Sequence, residues 1–83
     1  MSKITLYGAE WCPDCKRSRS LLDSLKVKYS YIDIDNVKGA SEEVARLNNG
    51  LKSIPTILFE DDSKLVEPSN PELLSKLKEV KII

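Results

Sequence analysis

The 83-residue chain contains no histidine, and this absence removes several kinds of active site. Histidine is the commonest general base, it activates the nucleophile in Ser-His and Cys-His pairs, and it is a ligand in most zinc sites. We therefore expect neither histidine-dependent acid–base catalysis nor an ordinary zinc centre, and we expect no bound metal.

The chain also lacks net charge and long apolar runs. Thirteen basic residues balance thirteen acidic ones, so the chain has no excess of positive charge that would indicate nucleic-acid binding. The longest apolar runs are two or three residues, such as 57–59, too short to span a membrane.

Residues 1–3 lead into only four uncharged residues, 4–7, before Gly8. This stretch is far shorter than the apolar region of a signal peptide, so we expect a cytoplasmic location.

Length and composition indicate a single small domain over residues 1–83. This length allows one hydrophobic core and one domain. The apolar share of 41% is close to that of an average globular domain, which argues against disorder. We expect this domain to be a monomer.

Local patterns predict seven elements in the order β-α-β-α-β-β-α. Alternating, β-branched or apolar runs favour strands over residues 3–7, 29–34, 56–59 and 64–66. Apolar spacing predicts a first helix from Pro13 and a second ending before Asn49-Gly50, with inward stripes at Cys15, Ser18, Leu22 and Leu25, and at Val37, Ala40, Val44 and Leu47. The third helix is predicted at a capping box of Ser69 and Glu72, with an apolar face of Leu73, Leu74, Leu77 and Val80.

This order predicts an α/β fold with one four-stranded mixed sheet. The first two strands, joined through a helix, are expected to be parallel. The last two, joined by a four-residue turn, are expected to form an antiparallel hairpin. Helices then cover both faces of the sheet.

Cys12 and Cys15 are the two cysteines of the chain. A structural disulfide between them would close almost no loop, and a reducing cytosol disfavours one. A zinc site would need further ligands, which only a dimer sharing two such pairs supplies. A Cys-x-x-Cys pair is typical of redox chemistry, which we predict over these alternatives.

The start of the first helix suits Cys12 for nucleophilic attack. Pro13 fits the first turn, so unpaired backbone N–H groups point at the Cys12 sulfur and favour its thiolate. Cys15 follows nearly one turn later on the inward stripe, beside that sulfur. We predict that Cys12 attacks, that Cys15 resolves the mixed disulfide, and that the two form a redox-active disulfide.

Two neighbours of these cysteines have open interpretations. Asp14 either tunes Cys12, because its charge opposes the thiolate, or is only a favourable first-turn residue. Trp11 either offers a hydrophobic docking surface or covers the core, and its place beside the reactive sulfur favours docking.

The chain resembles the glutaredoxin branch of the thioredoxin superfamily in two segments, Trp11-Cys12-Pro13-Asp14-Cys15 at a helix start and Ser53-Ile54-Pro55-Thr56 at a strand start. The resemblance covers nearly the whole chain and looks closest to mycoredoxins and related short glutaredoxin-like proteins. It implies a cis Ile54–Pro55 bond facing Cys12, with the Ile54 backbone free to pair with a substrate; a trans proline at a strand's first residue is the alternative. Lys52 matches a basic position for the carboxylate of a thiol cofactor, and is otherwise a surface lysine.

The chain departs from the glutaredoxin pattern at two places. Those proteins usually hold the γ-glutamyl end of glutathione with a glycine-containing turn, and here Glu67-Pro68-Ser69-Asn70 replaces it. The helix start at Ser69 and Asn70 still offers N–H donors to an anion, which Glu67 would repel. Ala9, followed by Glu10, occupies a position that is often lysine in the family.

Residues and resemblance together predict a small thiol–disulfide oxidoreductase. Its expected substrates are protein disulfides or mixed disulfides between proteins and a low-molecular-weight thiol. No bound cofactor is expected, and glutathione, mycothiol, another small thiol or a flavin-dependent reductase would recycle the oxidised pair. The alternatives are a glutathione-dependent iron–sulfur cluster protein and a redox-inactive interaction module. The predicted substrate and thiol contacts are Trp11, Pro13, Lys52, Ile54, Pro55, Ser69 and Asn70.

Overall fold

A computed structural model describes residues 4–83 and confirms the predicted element order. Lys3, predicted to begin the first strand, lies outside the described residues. Within residues 4–83, none of the helices combines the length and the apolar character needed to cross a bilayer. The elements are β1 (Ile4–Gly8), α1 (Pro13–Ser24), β2 (Ser30–Asp33), α2 (Ala40–Leu47), β3 (Thr56–Phe59), β4 (Lys64–Val66) and α3 (Asn70–Glu79).

The four strands form one mixed sheet in the order β2-β1-β3-β4. β1 and β2 are parallel, and β3 and β4 form an antiparallel hairpin, as predicted. β1 also pairs antiparallel with β3, with Ile4 opposite Phe59 and Tyr7 opposite Thr56. The end of β1 therefore meets the start of β3, and the loops that carry Cys12 and Pro55 lie at one end of the sheet.

Helices cover both faces of the sheet because its buried side chains alternate between them. One face packs against α1 and α3 in a hydrophobic core of Ile4, Leu6, Leu22, Ile57, Phe59, Leu73 and Leu77. Thr56 points to the other face, where its hydroxyl accepts a hydrogen bond of 2.9 Å from Asn48 at the end of α2. The predicted two-sided architecture is confirmed.

Two apolar residues predicted to face inward are exposed instead. Val37 precedes α2 and is 47% exposed, because a turn held by Asp33 delays the helix until Ala40. Leu25 caps the end of α1 and is 37% exposed. In both cases the apolar spacing in the sequence extends beyond the helix. Outside the helix, residues at this spacing no longer share one face.

Candidate functional site

The two cysteines meet at the N-terminus of α1. Cys12 is the N-cap residue, and its Sγ accepts a hydrogen bond of 3.1 Å from the backbone N–H of Cys15. Pro13 occupies the first turn, where its missing N–H costs nothing. Both cysteines are free thiols. The helix start thus directs a backbone N–H donor at the Cys12 sulfur.

Cys15 is completely buried beneath the end of β1, whereas Cys12 retains 5% of its surface. Gly8 makes this packing possible, since a Cβ at that position would lie 3.0 Å from the Cys15 Sγ and 3.2 Å from a Leu6 methyl carbon. Any side chain at Gly8 would have to displace the sulfur or the core beside it. The close approach explains why a glycine lies in the strand just before the cysteine motif.

The environment of Cys15 keeps it a neutral thiol in the resting protein. Desolvation by burial raises the pKa of the Cys15 thiol to about 12, helped by its hydrogen bond with Cys12 and by the charges of Cys12 and Asp14, while the Ala9 backbone opposes the shift. Two of these causes, the hydrogen bond with Cys12 and the charge of Cys12, require that the Cys12 sulfur is not bonded to a substrate. Once Cys12 is bound in a mixed disulfide, its charge is gone and Cys15 becomes easier to deprotonate.

We expect the resolving step to accelerate steeply with pH. Burial, the largest cause of the raised pKa of Cys15, does not depend on Cys12, and only the Cys15 thiolate attacks. Below that pKa the thiolate fraction grows about tenfold per pH unit, so the intramolecular rate is expected to rise by close to this factor per unit from about pH 6 to about pH 9. Stopped-flow pH jumps test this, starting from a mixed disulfide formed at acid pH, where the protonated Cys15 resolves it slowly. A rate that levels off near neutral pH would contradict the prediction.

The Ile54–Pro55 segment lies against the cysteines. The Ile54–Pro55 peptide bond is cis, which confirms what the resemblance implied. Ile54 packs against the cluster of Ala9, Cys12 and Cys15, and Pro55 is buried. Of the predicted contacts, Trp11 and Pro13 are next to Cys12 in the chain, Ile54 packs against both cysteines, and Pro55 follows Ile54.

The other predicted contacts are placed differently. Lys52 is exposed, and no hydrogen bond or ion pair involving it is found within residues 4–83. Ser69 uses both its N–H and its hydroxyl in a capping box with Glu72, at 2.9 and 3.3 Å. The Oδ1 atom of Asn70 is buried and has no hydrogen-bond partner among the described residues. Asn70 thus retains an unused acceptor at the start of α3.

The turn that carries Ser69 and Asn70 is tied to the site from two sides. The Glu67 N–H donates to the Pro55 carbonyl at 2.9 Å. Arg17 of α1 donates to the Pro68 carbonyl at 3.0 Å and to the Asp14 carboxylate at 2.9 Å. Arg17 therefore links the cysteine turn to the segment before α3 and offsets the charge of Asp14.

Replacing Asp14 with asparagine is expected to make the reduction potential less negative. The Asp14 charge raises the energy of a thiolate but not that of a disulfide, so its removal stabilises the reduced form. Asp14 is 46% exposed and paired with Arg17, so salt screens the effect and we expect a shift of only about 10–30 mV.

Equilibration of this variant against a redox buffer at low and high salt measures the shift. Asp62→Asn is a matched control, since Asp62 lies in the turn after β3, at the opposite end of the sheet. A shift of opposite sign would assign Asp14 a role as proton acceptor instead.

Trp11 is 66% exposed, yet its indole N–H donates a hydrogen bond of 2.7 Å to the Asp35 carboxylate. Trp11 therefore does not cover the core, which removes one of its two interpretations. Sequence reasoning missed Asp35 and Gly8. The order of the elements could have indicated Asp35. This residue follows β2, and the carboxyl ends of the parallel strands β1 and β2 lie at the same end of the sheet.

No cluster of three or more histidine, cysteine or acidic side chains suited to a metal ion is found within residues 4–83. The groups that the site does present are a helix-capping thiol, a buried thiol behind it and an exposed indole beside them. Such a set is suited to thiol–disulfide exchange, in which one sulfur attacks an external disulfide and the other then attacks the resulting mixed disulfide from within the protein.

Known proteins resemble this chain over most of its length. A model of the glutaredoxin family matches residues 4–64. Mycoredoxin 1 of Corynebacterium glutamicum is 35% identical over 79 residues, covering 94% of this chain and 96% of its own. A Mycobacterium tuberculosis protein named as a glutaredoxin is 34% identical over 77 residues, covering 93% and 92%. The crystal structure of a glutaredoxin from Archaeoglobus fulgidus superposes with a TM-score of 0.75 and 29% identity, covering 94% of this chain and 87% of that one.

Proposed function

The chain belongs to the glutaredoxin family of thiol–disulfide oxidoreductases, and from this premise we propose that it reduces protein disulfides, or mixed disulfides between proteins and a low-molecular-weight thiol, in the cytoplasm. Cys12 is the attacking residue and Cys15 the resolving one. A small thiol or a flavin-dependent reductase returns the oxidised pair to the dithiol.

One observation carries this proposal: a fully buried Cys15 lies directly behind a helix-capping Cys12 whose sulfur its N–H contacts at 3.1 Å. Complete burial denies Cys15 to an external disulfide, while Cys12 at the helix cap keeps 5% of its surface exposed. The two sulfurs are thus assigned different roles by position, although they are the same functional group.

The proposed reaction has two exchange steps. The Cys12 thiolate attacks one sulfur of the substrate disulfide, so that a Cys12–sulfur bond forms, the substrate bond breaks and the other sulfur leaves as a thiolate. Cys15 then loses its proton to solvent and attacks the Cys12 sulfur, which releases the second substrate thiolate and forms the Cys12–Cys15 disulfide. The substrate gains two electrons and the protein loses them.

Recycling reverses this electron flow. Two equivalents of glutathione, mycothiol or another small thiol reduce the Cys12–Cys15 disulfide through a mixed disulfide on Cys12, or a flavin-dependent reductase supplies the two electrons. The exposed Trp11 and the half-buried Ile54 beside Cys12 support the entry of such a thiol. The turn before α3, where the Oδ1 atom of Asn70 has no hydrogen-bond partner among residues 4–83, is joined to Pro55 and Arg17.

Stepwise reduction of the oxidised protein tests the proposal. The oxidised chain is mixed in turn with each small thiol and with a thioredoxin-reductase-type flavoenzyme, and free thiols are counted over time. We expect at least one reductant to restore two thiols rapidly. A thiol count that never changes across physiological potentials would instead support the redox-inactive interaction module. A coloured dimer after anaerobic purification would support an iron–sulfur cluster protein.

A further inference from the structure

The contact between Trp11 and Asp35 links two segments that are 24 residues apart. A tryptophan that is 66% exposed would ordinarily be free to change rotamer, yet here its polar edge is fixed by a bond of 2.7 Å to a carboxylate. An exposed apolar face that is held in one orientation is ready to pack against an incoming group, because binding no longer has to immobilise it.

Asp35 is itself held by the turn that follows β2. Its N–H donates to the Asp33 carboxylate at 2.9 Å, and the Asn36 side chain donates to the same carboxylate at 2.7 Å. The backbone N–H of Val37 bonds to the Asp33 carbonyl at 2.9 Å. The turn therefore presents the Asp35 carboxylate from a fixed base that is continuous with the sheet.

The backbone of the Trp11 loop has its own anchors, independent of Asp35. Glu10 pairs at 3.1 Å with Arg19, whose guanidinium stacks 3.8 Å from the centre of the Tyr31 ring. The Cys12 N–H bonds to the Ala9 carbonyl at 3.2 Å. Loss of Asp35 would therefore release the indole while leaving the cysteine turn in place.

We propose that Asp35 is a positioning residue that fixes the Trp11 indole as a preformed wall beside Cys12, against which the peptide segment flanking a substrate's reactive sulfur packs. This inference rests on the proposed function, since it specifies how that site receives a protein substrate. The wall acts on the encounter between protein and substrate and leaves the sulfur exchange itself unchanged.

Tryptophan fluorescence tests the tether without any substrate, since Trp11 is the only tryptophan in the chain. Asp35→Ala is expected to lower the fluorescence anisotropy and to increase quenching by acrylamide. Asp35→Asn keeps a carbonyl oxygen that can accept the indole N–H, and is expected to resemble the wild type. Glu42→Ala, which removes a carboxylate from the exposed side of α2, is the control for charge.

Single-turnover kinetics test the wall. The probe is a short peptide whose cysteine carries thionitrobenzoate in a mixed disulfide, so that attack by Cys12 releases a coloured thiolate. Asp35→Ala is expected to raise the half-saturating peptide concentration by about three- to tenfold, the range expected for one hydrogen bond. The limiting rate should stay the same, and Asp35→Asn should recover most of the loss.

A double-mutant cycle shows whether Asp35 acts through the indole N–H. Trp11→Phe keeps an aromatic face but has no N–H, so Asp35→Ala should have no further effect in that background. Equal anisotropy in the wild type and Asp35→Ala would overturn the proposal. So would a lower limiting rate in Asp35→Ala with unchanged half-saturation, or additive losses in the cycle. A wild type that fails to react with the peptide would overturn the proposed function, and the anisotropy would still decide whether Asp35 fixes Trp11.

Discussion

Cys15→Ser is expected to trap the protein as a mixed disulfide on Cys12 and to slow release of the second substrate thiol by at least about 10³-fold. In the wild type the resolving sulfur is part of the same molecule, and well-oriented intramolecular reactions have very large effective concentrations. In the variant only an external thiol, present at millimolar concentration, can attack the mixed disulfide and release the substrate. Serine is nearly the same size, so the packing beneath Gly8 is preserved.

Mass spectrometry of the variant after exposure to a peptide disulfide would reveal the adduct. Cys12→Ser is the matched control, and it is expected to form no adduct because Cys15 is completely buried. Comparable adducts in both variants would show that the substrate reaches the two sulfurs equally well, and would contradict the roles proposed for them.

Leu73→Ala is expected to lower the free energy of unfolding by about 2–5 kcal/mol. Leu73 lies on α3 with no exposed surface, in the core shared with Leu22 of α1 and Ile57 of β3. Truncation removes apolar contacts and leaves a cavity between the helices and the sheet. Because small domains are stable by only about 5–15 kcal/mol, this loss is a large fraction of the total.

Urea unfolding followed by circular dichroism measures this change. Leu51→Ala is the matched control, because Leu51 is 65% exposed and its truncation should change the stability by no more than about 0.5 kcal/mol. Equal losses in the two variants would mean that the core is not centred on the α1–α3 face.

Sequence patterns predicted the architecture well because the elements depend on local chemistry. The capping box at Ser69 and Glu72, the first-turn Pro13 and the Asn49-Gly50 stop act within a few residues of where they occur. The hairpin was predictable for the same reason, since its four-residue turn joins adjacent strands. The stripes failed only at Val37 and Leu25, beyond the ends of the helices that they were assigned to.

The chemistry of the site was likewise determined by the sequence through one motif. A Cys-x-x-Cys pair at a helix start places a thiol at the N-cap and a second thiol one turn later, whatever the rest of the fold does. The proposed roles of Cys12 and Cys15 rest on this helix geometry and on the inward stripe.

Only the tertiary structure decided which groups support that motif. Asp35, Gly8 and Pro68 contact Trp11, Cys15 and Arg17 through sheet pairing and helix packing, across chain separations of up to 51 residues. No periodicity or local propensity encodes such pairings. They arise because the ends of β1 and β2 and the start of β3 meet at one end of the sheet, a property of the assembled strands rather than of any segment within them.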